Sequence, residues 1–206
     1  PIGTGTVFVT PSIATTTTFY ADATNCNGTS ATRTPVIATV VTTPSILTTV
    51  SNVGCKYSNV VLSATSTAGS TLKWYADISG TPSTATVSSI TANTTRYVSA
   101  YLTASGATCE SPKTAVTATM NDLPVAPTAI HTTLCGIGNT ATVSVTPPTN
   151  TAVNWFSSTS GGTSLGTGNS YTTPVLTSAS SSSYYAAVTD VNGCVSSPRT
   201  QVNIVY

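Results

Sequence analysis

The sequence has very little charge. Of its 206 residues only 5% are charged, with six Lys and Arg against five Asp and Glu, and the net charge is +1. Average soluble domains carry roughly 25% charged residues. A protein that binds nucleic acid or an anionic membrane surface needs clustered basic side chains. The composition therefore argues against both kinds of partner.

The sequence also lacks the residue patterns that metal and catalytic sites need. It has one histidine, His131, and no CxxC pair, so no zinc site is expected. His131 lies among threonines beside a proline-rich segment and has no neighbouring nucleophile, so we expect an exposed structural residue. Asp190 and Asn192 could offer oxygens to calcium, but a calcium site needs six or more. We predict no metal, no cofactor and no catalytic residue.

Long apolar runs and helical periods are missing as well. No run approaches the ~18 residues of a transmembrane helix, so we expect no membrane insertion in this segment. Threonine and serine make up on the order of a third of the chain, far above ordinary usage. Apolar and polar residues alternate with a period of two in residues 60–65, 71–76 and 141–145. The sequence therefore predicts an all-β fold, and only residues 178–183, a serine-rich run, have the composition of a disordered segment.

Cysteine, tryptophan and tyrosine recur in a fixed order. The first copy contains Cys55, Trp74, Tyr97 and Cys109, and the second contains Cys135, Trp155, Tyr185 and Cys194. This order is typical of a β-sandwich of immunoglobulin type, in which a tryptophan fills the core. We expect Trp74 and Trp155 to be core residues, together with Leu72 and Val153, which share their strand faces.

The repeat divides the chain into three segments. Residues 44–123 and 124–206 are predicted to be complete repeats, with prolines at the junctions. Residues 1–43 correspond to the C-terminal half of a repeat, because the stretch from Gly3 to Phe8 matches that from Gly166 to Tyr171. This half has no tryptophan and no earlier cysteine. We expect its first strands to precede Pro1 and Cys26 to be unpaired within this sequence.

The other four cysteines are expected to form two disulfides, Cys55–Cys109 and Cys135–Cys194. Each would close a loop of roughly 55 to 60 residues, a constraint worth about 4 kcal/mol on the chain-entropy model. Disulfides persist in oxidising compartments. We therefore expect an extracellular or cell-surface location.

The tyrosine-bearing strand can be placed in two phases. In one phase Ala21, Val98 and Ala186 point inward, and in the other Tyr20, Tyr97 and Tyr185 do. The opposite phase would carry Asp22 of the first segment into a core, which is costly without a partner. We expect the first phase.

Two aromatic residues follow the tryptophans directly and should lie on the outer face of the same sheet. These are Tyr75 and Phe156. Exposed rings of this kind can stack on sugars. They can equally cover a weakly polar sheet surface or pack on an adjoining repeat, and the sequence leaves both interpretations open.

The third segment carries the most complete form of the motif. Its members are Cys135, Trp155-Phe156, Gly161-Gly162, Thr173-Pro174, Tyr184-Tyr185, Gly193-Cys194, Ser197-Pro198-Arg199 and Val202. The motif resembles the tandem Ig-like repeats of giant cell-surface and gliding adhesins of Bacteroidetes. The second segment departs from it, since it lacks the Thr-Pro pair and has Arg96-Tyr97 in place of two tyrosines. The resemblance implies export by the type IX secretion system and a role as a stalk or adhesin.

These observations predict tandem, disulfide-stapled Ig-like β-sandwich domains without enzymatic activity. The expected function is a structural or adhesive segment of a long repetitive cell-surface protein, with surface polysaccharide, other cells or sister repeats as partners. The alternative is a set of carbohydrate-binding modules appended to a secreted enzyme.

Overall fold

The computed structural model describes residues 1–104, 106–178 and 182–205, and every regular element within them is a β-strand. The predicted all-β class is therefore confirmed. Within these ranges there is no helix long and apolar enough to cross a membrane. Of the serine-rich run at residues 178–183, residues 179–181 lie outside the described part of the chain.

The strands are numbered in chain order. Residues 1–43 contain β1 (Thr17–Ala21), β2 (Thr24–Asn25), β3 (Gly28–Thr29) and β4 (Thr34–Ala38). Residues 44–123 contain β5 (Ile46–Val50), β6 (Asn52–Cys55), β7 (Val60–Val61), β8 (Ser63–Ser66), β9 (Thr71–Tyr75), β10 (Thr86–Val87), β11 (Thr94–Ala104), β12 (Ala107–Glu110) and β13 (Thr114–Asn121). Residues 124–205 contain β14 (Thr128–Ile130), β15 (Thr132–Thr133), β16 (Thr142–Thr146), β17 (Thr151–Phe156), β18 (Gly166–Thr167), β19 (Ser170–Thr172), β20 (Ser182–Asp190) and β21 (Thr200–Val205).

The chain forms two compact units that cut across the sequence repeats. The first comprises Pro1–Val50, Leu62–Ala85 and Thr95–Val116. The second comprises Ser51–Val61, Thr86–Thr94 and Thr117–Tyr206. The domain limits predicted at residues 44 and 124 follow the repeats rather than these units, and they stay a prediction.

We call residues 44–123 the second repeat and residues 124–206 the third repeat. The third repeat is a sandwich of two sheets within the second compact unit. One sheet has the order β14-β16-β19, and the other has the order β15-β21-β20-β17-β18. Their facing side chains form one core, in which Trp155 is 0% and Val153 2% exposed. Burying a tryptophan and several β-branched residues in this way removes a large apolar area from water, which is the main stabilising contribution. The core is thus formed by the apolar side chains that face inward from the strands of both sheets.

The tyrosine-bearing strands adopt the predicted phase in both complete repeats. Val98 on β11 and Ala186 on β20 are fully buried, whereas Tyr97 and Tyr185 next to them are half-buried. Successive side chains of a strand point to opposite faces, so burial of the first pair places the tyrosines on the outer face.

The tryptophan of the second repeat is less buried than predicted. Trp74 and Leu72 on β9 are only half-buried, so their assignment to a closed core is wrong. In the third repeat, strand β18 pairs beside Trp155, and Tyr171 stacks on its indole. In the second repeat β9 pairs with β11 on one edge, but on its other edge the described residues form only an isolated bridge between Tyr75 and Pro82 and no paired strand. Trp74 therefore lacks the cover that closes the third core.

One disulfide is present, and it is not one of those predicted. Cys55 is bonded to Cys194, with 5.5 Å between the Cα atoms, while Cys109 and Cys135 are free thiols. Disulfides need Cα atoms roughly 4.4 to 6.8 Å apart. Cys55 folds with the second compact unit, which also holds Cys194, whereas Cys109 belongs to the first. The predicted pair Cys55–Cys109 is therefore wrong.

The predicted pair Cys135–Cys194 fails because its members lie at opposite ends of one sheet. Cys135 follows Leu134, whose backbone N–H bonds to Val205 beside the first residue of β20. Cys194 lies beside Asp190, the last residue of β20. Nine strand residues span roughly 27 Å at the usual rise of a strand. No bond can bridge that distance.

Candidate functional site

Tyr75 and Phe156 occupy equivalent places in the two complete repeats. Tyr75 ends β9 opposite Tyr97, and Phe156 ends β17 opposite Tyr185. Each follows its tryptophan, so the alternation of the strand places the ring on the other face of the sheet. Both rings are half-buried.

Each of these rings is covered by a cation from the same repeat. The Lys113 ammonium lies 4.8 Å from the centroid of the Tyr75 ring, and the Arg199 guanidinium carbon lies 3.4 Å from that of Phe156. The Arg199 guanidinium also donates a hydrogen bond of 2.8 Å to the Ser158 carbonyl, which holds it over the ring. A cation over an aromatic face contributes about 0.5–1 kcal/mol at exposed sites. A sugar that stacked on either ring would have to displace this cation.

The cation of each repeat follows a Ser-Pro pair, Ser111-Pro112 before Lys113 and Ser197-Pro198 before Arg199, and a buried serine lies at or just before this pair. In the second repeat the buried Ser111 hydroxyl accepts a hydrogen bond from the Ala100 N–H, and in the third Ser196 accepts one from Val188. Each serine also donates its backbone N–H to the carbonyl of the same partner residue, so the side-chain bond satisfies a second, buried backbone donor.

Tyr75 belongs to a hydrogen-bonded network around Glu110, the only glutamate of the chain. Glu110 Oε1 accepts hydrogen bonds of 2.6 Å from both the Ser99 and the Tyr75 hydroxyls. The Ser99 bond, followed by the Tyr75 bond, lowers the pKa of Glu110 because both stabilise the carboxylate. Burial, followed by the bond to Glu110, raises the pKa of Tyr75. This end of β12 is thereby tied to β9 and β11.

A second tyrosine extends the same face. The Lys73 ammonium lies 3.2 Å from the centroid of the Tyr101 ring, and hydrogen bonds from Thr108 and Thr103 lower the pKa of Tyr101. The register of β9, β11 and β12 puts the strand residues of this group on one outer face, and Lys113 reaches the same face over the Tyr75 ring. We call this face the tyrosine–lysine patch, and its members are Lys73, Tyr75, Ser99, Tyr101, Glu110 and Lys113.

Sequence reasoning identified only Tyr75 of this patch. The alternation of β9 and β11 already places Lys73 and Tyr101 on outer faces, but their proximity depends on the register between strands. That register is set by long-range pairing and is not readable from either strand alone. The patch could therefore be identified only from the structure.

Asp190 and His131 both accept hydrogen bonds from backbone N–H groups within the third repeat. Asp190 Oδ1 accepts the backbone N–H groups of Asn192 and Cys194, at 2.9 and 2.8 Å, and so closes the hairpin turn. His131 Nδ1 accepts the Asn203 N–H at 3.1 Å. In the part of the chain that is described, no three His, Cys, Asp or Glu residues are grouped as metal ligands.

The thiol of Cys26 is free and exposed at the tip of the β2–β3 hairpin.

Comparison with known proteins gives the family of the repeats. The family model described as "Ig-like domain CHU_C associated" matches residues 42–121 and 124–205, which confirms the predicted tandem Ig-like repeats. A search of curated protein sequences finds no match.

Several solved structures are similar at low identity. The fibronectin(III)-like modules of Clostridium thermocellum CbhA have 16% identity and a TM-score of 0.39 over 79% of this chain and 93% of theirs. The titin I-band fragment I67-I69 has 11% identity and a TM-score of 0.39, covering 92% and 74%. Sidekick-1 immunoglobulin domains 1-5 have 14% identity and a TM-score of 0.38, and the match covers 95% of this chain and 46% of that one.

Proposed function

The chain belongs to the family of Ig-like domains described as CHU_C associated, and from that premise we propose that it is a structural and adhesive segment of a long repetitive cell-surface protein. The observation that carries the proposal is the tandem repetition, with two adjacent family matches joined by two residues. Ig-like architecture is typical of structural and adhesive modules, and function must come from surfaces grafted on it. A disulfide fits an extracellular location.

The composition of the surface supports this proposal. A chain with 5% charged residues and abundant hydroxyl groups has weak long-range electrostatic attraction for nucleic acids or membranes. Such a surface favours short-range contacts with neutral, hydroxyl-rich partners or with other repeats. The proposal includes the export route and role of the adhesins that the motif resembles, namely type IX secretion and gliding motility.

The adhesive role can be tested with beads that carry the full chain. Retention under flow would be measured on immobilised dextran, cellulose and polygalacturonate, and on a layer of the chain itself. We expect retention on at least one surface that exceeds retention of beads coated with an unrelated Ig-like tandem of similar net charge. Equal detachment from all four surfaces would contradict adhesion.

A second candidate function is carbohydrate binding through the outer rings of Tyr75 and Phe156, which is favoured by their equivalent positions in the two repeats and requires displacement of the cation over each ring. If sugars stack on these rings, Tyr75→Ala and Phe156→Ala should abolish polysaccharide retention. Lys113→Met should then strengthen it, because the Tyr75 ring would no longer be covered. Retention that survives both alanine substitutions would show that adhesion uses another surface.

A further inference from the structure

The second repeat leaves open a strand edge that the third repeat fills with its own chain. In the third repeat the segment after β17 returns along the outer edge of that strand as β18. Along this edge the Leu165 N–H donates to the Trp155 carbonyl. Gly168 uses both of its backbone groups, since its N–H donates to the Val153 carbonyl and its carbonyl accepts the Trp155 indole N–H at 2.8 Å. One short strand thus satisfies the backbone edge and the indole together.

The second repeat begins the same return but ends it early. The Ser83 N–H donates to the Trp74 carbonyl, as the Leu165 N–H does at the matching point of the third repeat. Two positions later, at Ala85, the chain has already left β9, and its carbonyl accepts the N–H of the residue that follows β7. The third repeat leaves its strand only at Asn169, four positions after Leu165. The return segment of the second repeat is therefore too short to form a counterpart of β18.

Backbone and indole groups at this edge of β9 are consequently unpaired. Leu72 lies opposite Ala100, whose N–H and carbonyl both bond to Ser111 on the far side of β11. Two opposed residues of an antiparallel pair exchange either both bonds or neither, so the Leu72 N–H and carbonyl point away from β11. Among the described residues, neither these groups nor the Trp74 indole N–H has a hydrogen-bond partner.

A cleft of about 620 Å³ lies along the same edge, between residues 72–75 and residues 82–85. Its volume falls in the range of roughly 300–1,000 Å³ that is usual for ligand sites. Lys73 belongs to its lining, and the Lys73 ammonium lies 3.2 Å from the centroid of the Tyr101 ring. The ion pairs of the described residues are made by Arg33 and Lys56, so no carboxylate is bound to the Lys73 ammonium. The cleft thus offers strand hydrogen bonds and one cation to a ligand.

We propose that this cleft binds an extended peptide of another polypeptide by strand addition, and that the peptide carries an acidic residue followed by glycine. The glycine N–H donates to the Leu72 carbonyl and its carbonyl accepts the Trp74 indole N–H, as Gly168 does in the third repeat. Glycine is preferred because Gly168 has a φ of 102°, which other residues rarely adopt. The acidic side chain lies opposite Lys73, in the register that Thr167 has on β17, and pairs with the ammonium.

The unpaired groups favour a peptide over a sugar. A strand edge presents donors and acceptors at the spacing of a second strand, and in the third repeat a peptide strand occupies the equivalent place. A peptide also leaves Lys113 over the Tyr75 ring, whereas a sugar stacked on that ring would displace it. The cleft is therefore distinct from the carbohydrate candidate, and its ligand goes beyond the proposed adhesive role.

The test titrates the ¹⁵N-labelled 206-residue chain with a synthetic peptide and follows the indole N–H signals by NMR. The peptide has the sequence of residues 164–170 with Thr167→Glu, and both of its ends are blocked. We expect the Trp74 indole signal to shift and its exchange with water to slow by about tenfold. The Trp155 indole signal should stay in place, because that N–H is already bonded to Gly168. The variant Trp74→Phe assigns the two signals.

Matched peptides and one receptor variant separate the contributions to binding. The same peptide with Gly168→Pro lacks the N–H that donates to the Leu72 carbonyl, so it should not bind. The peptide that retains Thr167 should bind about twofold to fivefold more weakly than the glutamate peptide. In the variant Lys73→Met the two peptides should bind equally, and equal binding in the parent chain would contradict the charge pairing.

The proposal is overturned if the glutamate peptide leaves the Trp74 indole signal unchanged at millimolar concentration. It is also overturned if the proline peptide shifts this signal equally, because strand addition then does not occur. A shift caused by cellohexaose but not by the glutamate peptide would overturn it as well, since the cleft would then be a sugar site.

Discussion

Reduction of the Cys55–Cys194 disulfide should release a large part of the chain to an applied force. The bond joins residues 139 positions apart. When the oxidised chain is pulled by its two ends, tension passes through the sulfur atoms, and the intervening residues cannot extend. At roughly 3.5 Å per extended residue, reduction should add about 490 Å of contour length. On the chain-entropy model the same loop contributes about 5 kcal/mol to stability.

Single-molecule force spectroscopy measures this length directly. With an oxidised chain held through handles at both ends, only the segments outside the disulfide should extend, about 240 Å in total. Adding a reductant should then give one additional release of the predicted size. The variant Cys55→Ala should show the full extension without reductant, whereas Cys109→Ala, which removes a free thiol, should behave as the parent chain does.

The alternative disulfide pairing predicts different extension lengths, and observing them would refute the Cys55–Cys194 bond. Disulfides within each repeat, Cys55–Cys109 and Cys135–Cys194, would give two separate releases of roughly 190 and 210 Å. Cys109→Ala would then remove one of them. Peptide mapping of the oxidised chain by mass spectrometry provides an independent assignment, because each pairing yields different linked peptides.

Four further substitutions test packing, hydrogen bonding and pH dependence. Trp155→Ala should destabilise the third repeat by about 3–5 kcal/mol, and Trp74→Ala should cost clearly less, since its indole is only half-buried; denaturant unfolding followed by hydrogen exchange measures both. Ser111→Ala leaves the buried Ala100 N–H without its acceptor and should cost about 1–3 kcal/mol, measured as faster exchange of the neighbouring amides. Glu110 has a pKa below its usual 4.5 in the folded chain, so its contribution is complete above that pH and is lost as the pH falls through the folded-state pKa; Glu110→Gln should make the acid-induced loss of stability shallower.

Controls for these predictions come from the same chain. Ser160→Ala changes an exposed serine and should leave stability within about 0.5 kcal/mol of the parent. Equal costs for the two tryptophan substitutions would contradict the difference in their burial. An unchanged acid transition in Glu110→Gln would show that the Ser99 and Tyr75 hydrogen bonds do not favour the carboxylate.

Local patterns in the sequence were enough to predict the strands and their faces. The alternation around Val98 and Ala186 specified which side of each strand is buried, because the period of two is a property of the extended backbone itself. The match between Gly3–Phe8 and Gly166–Tyr171 likewise identified the half repeat, whose local geometry follows the same glycines and rings. In these cases the deciding interactions span only a few residues.

Other features depended on which distant segments meet. The burial of Trp74 depends on a strand at the outer edge of β9, which the described residues of its repeat do not form. The partner of Cys55 depends on which compact unit the cysteine joins. The cations over Tyr75 and Phe156 come from residues more than 35 positions away, and only the register of the sheets brings them there. The sequence alone determined the all-β class, the repeats and the strand phases, since these arise from backbone geometry. The tertiary structure decided which cysteines form the disulfide, which tryptophan is fully buried and which cations cover the outer rings. These features depend on distances between segments that no local pattern encodes.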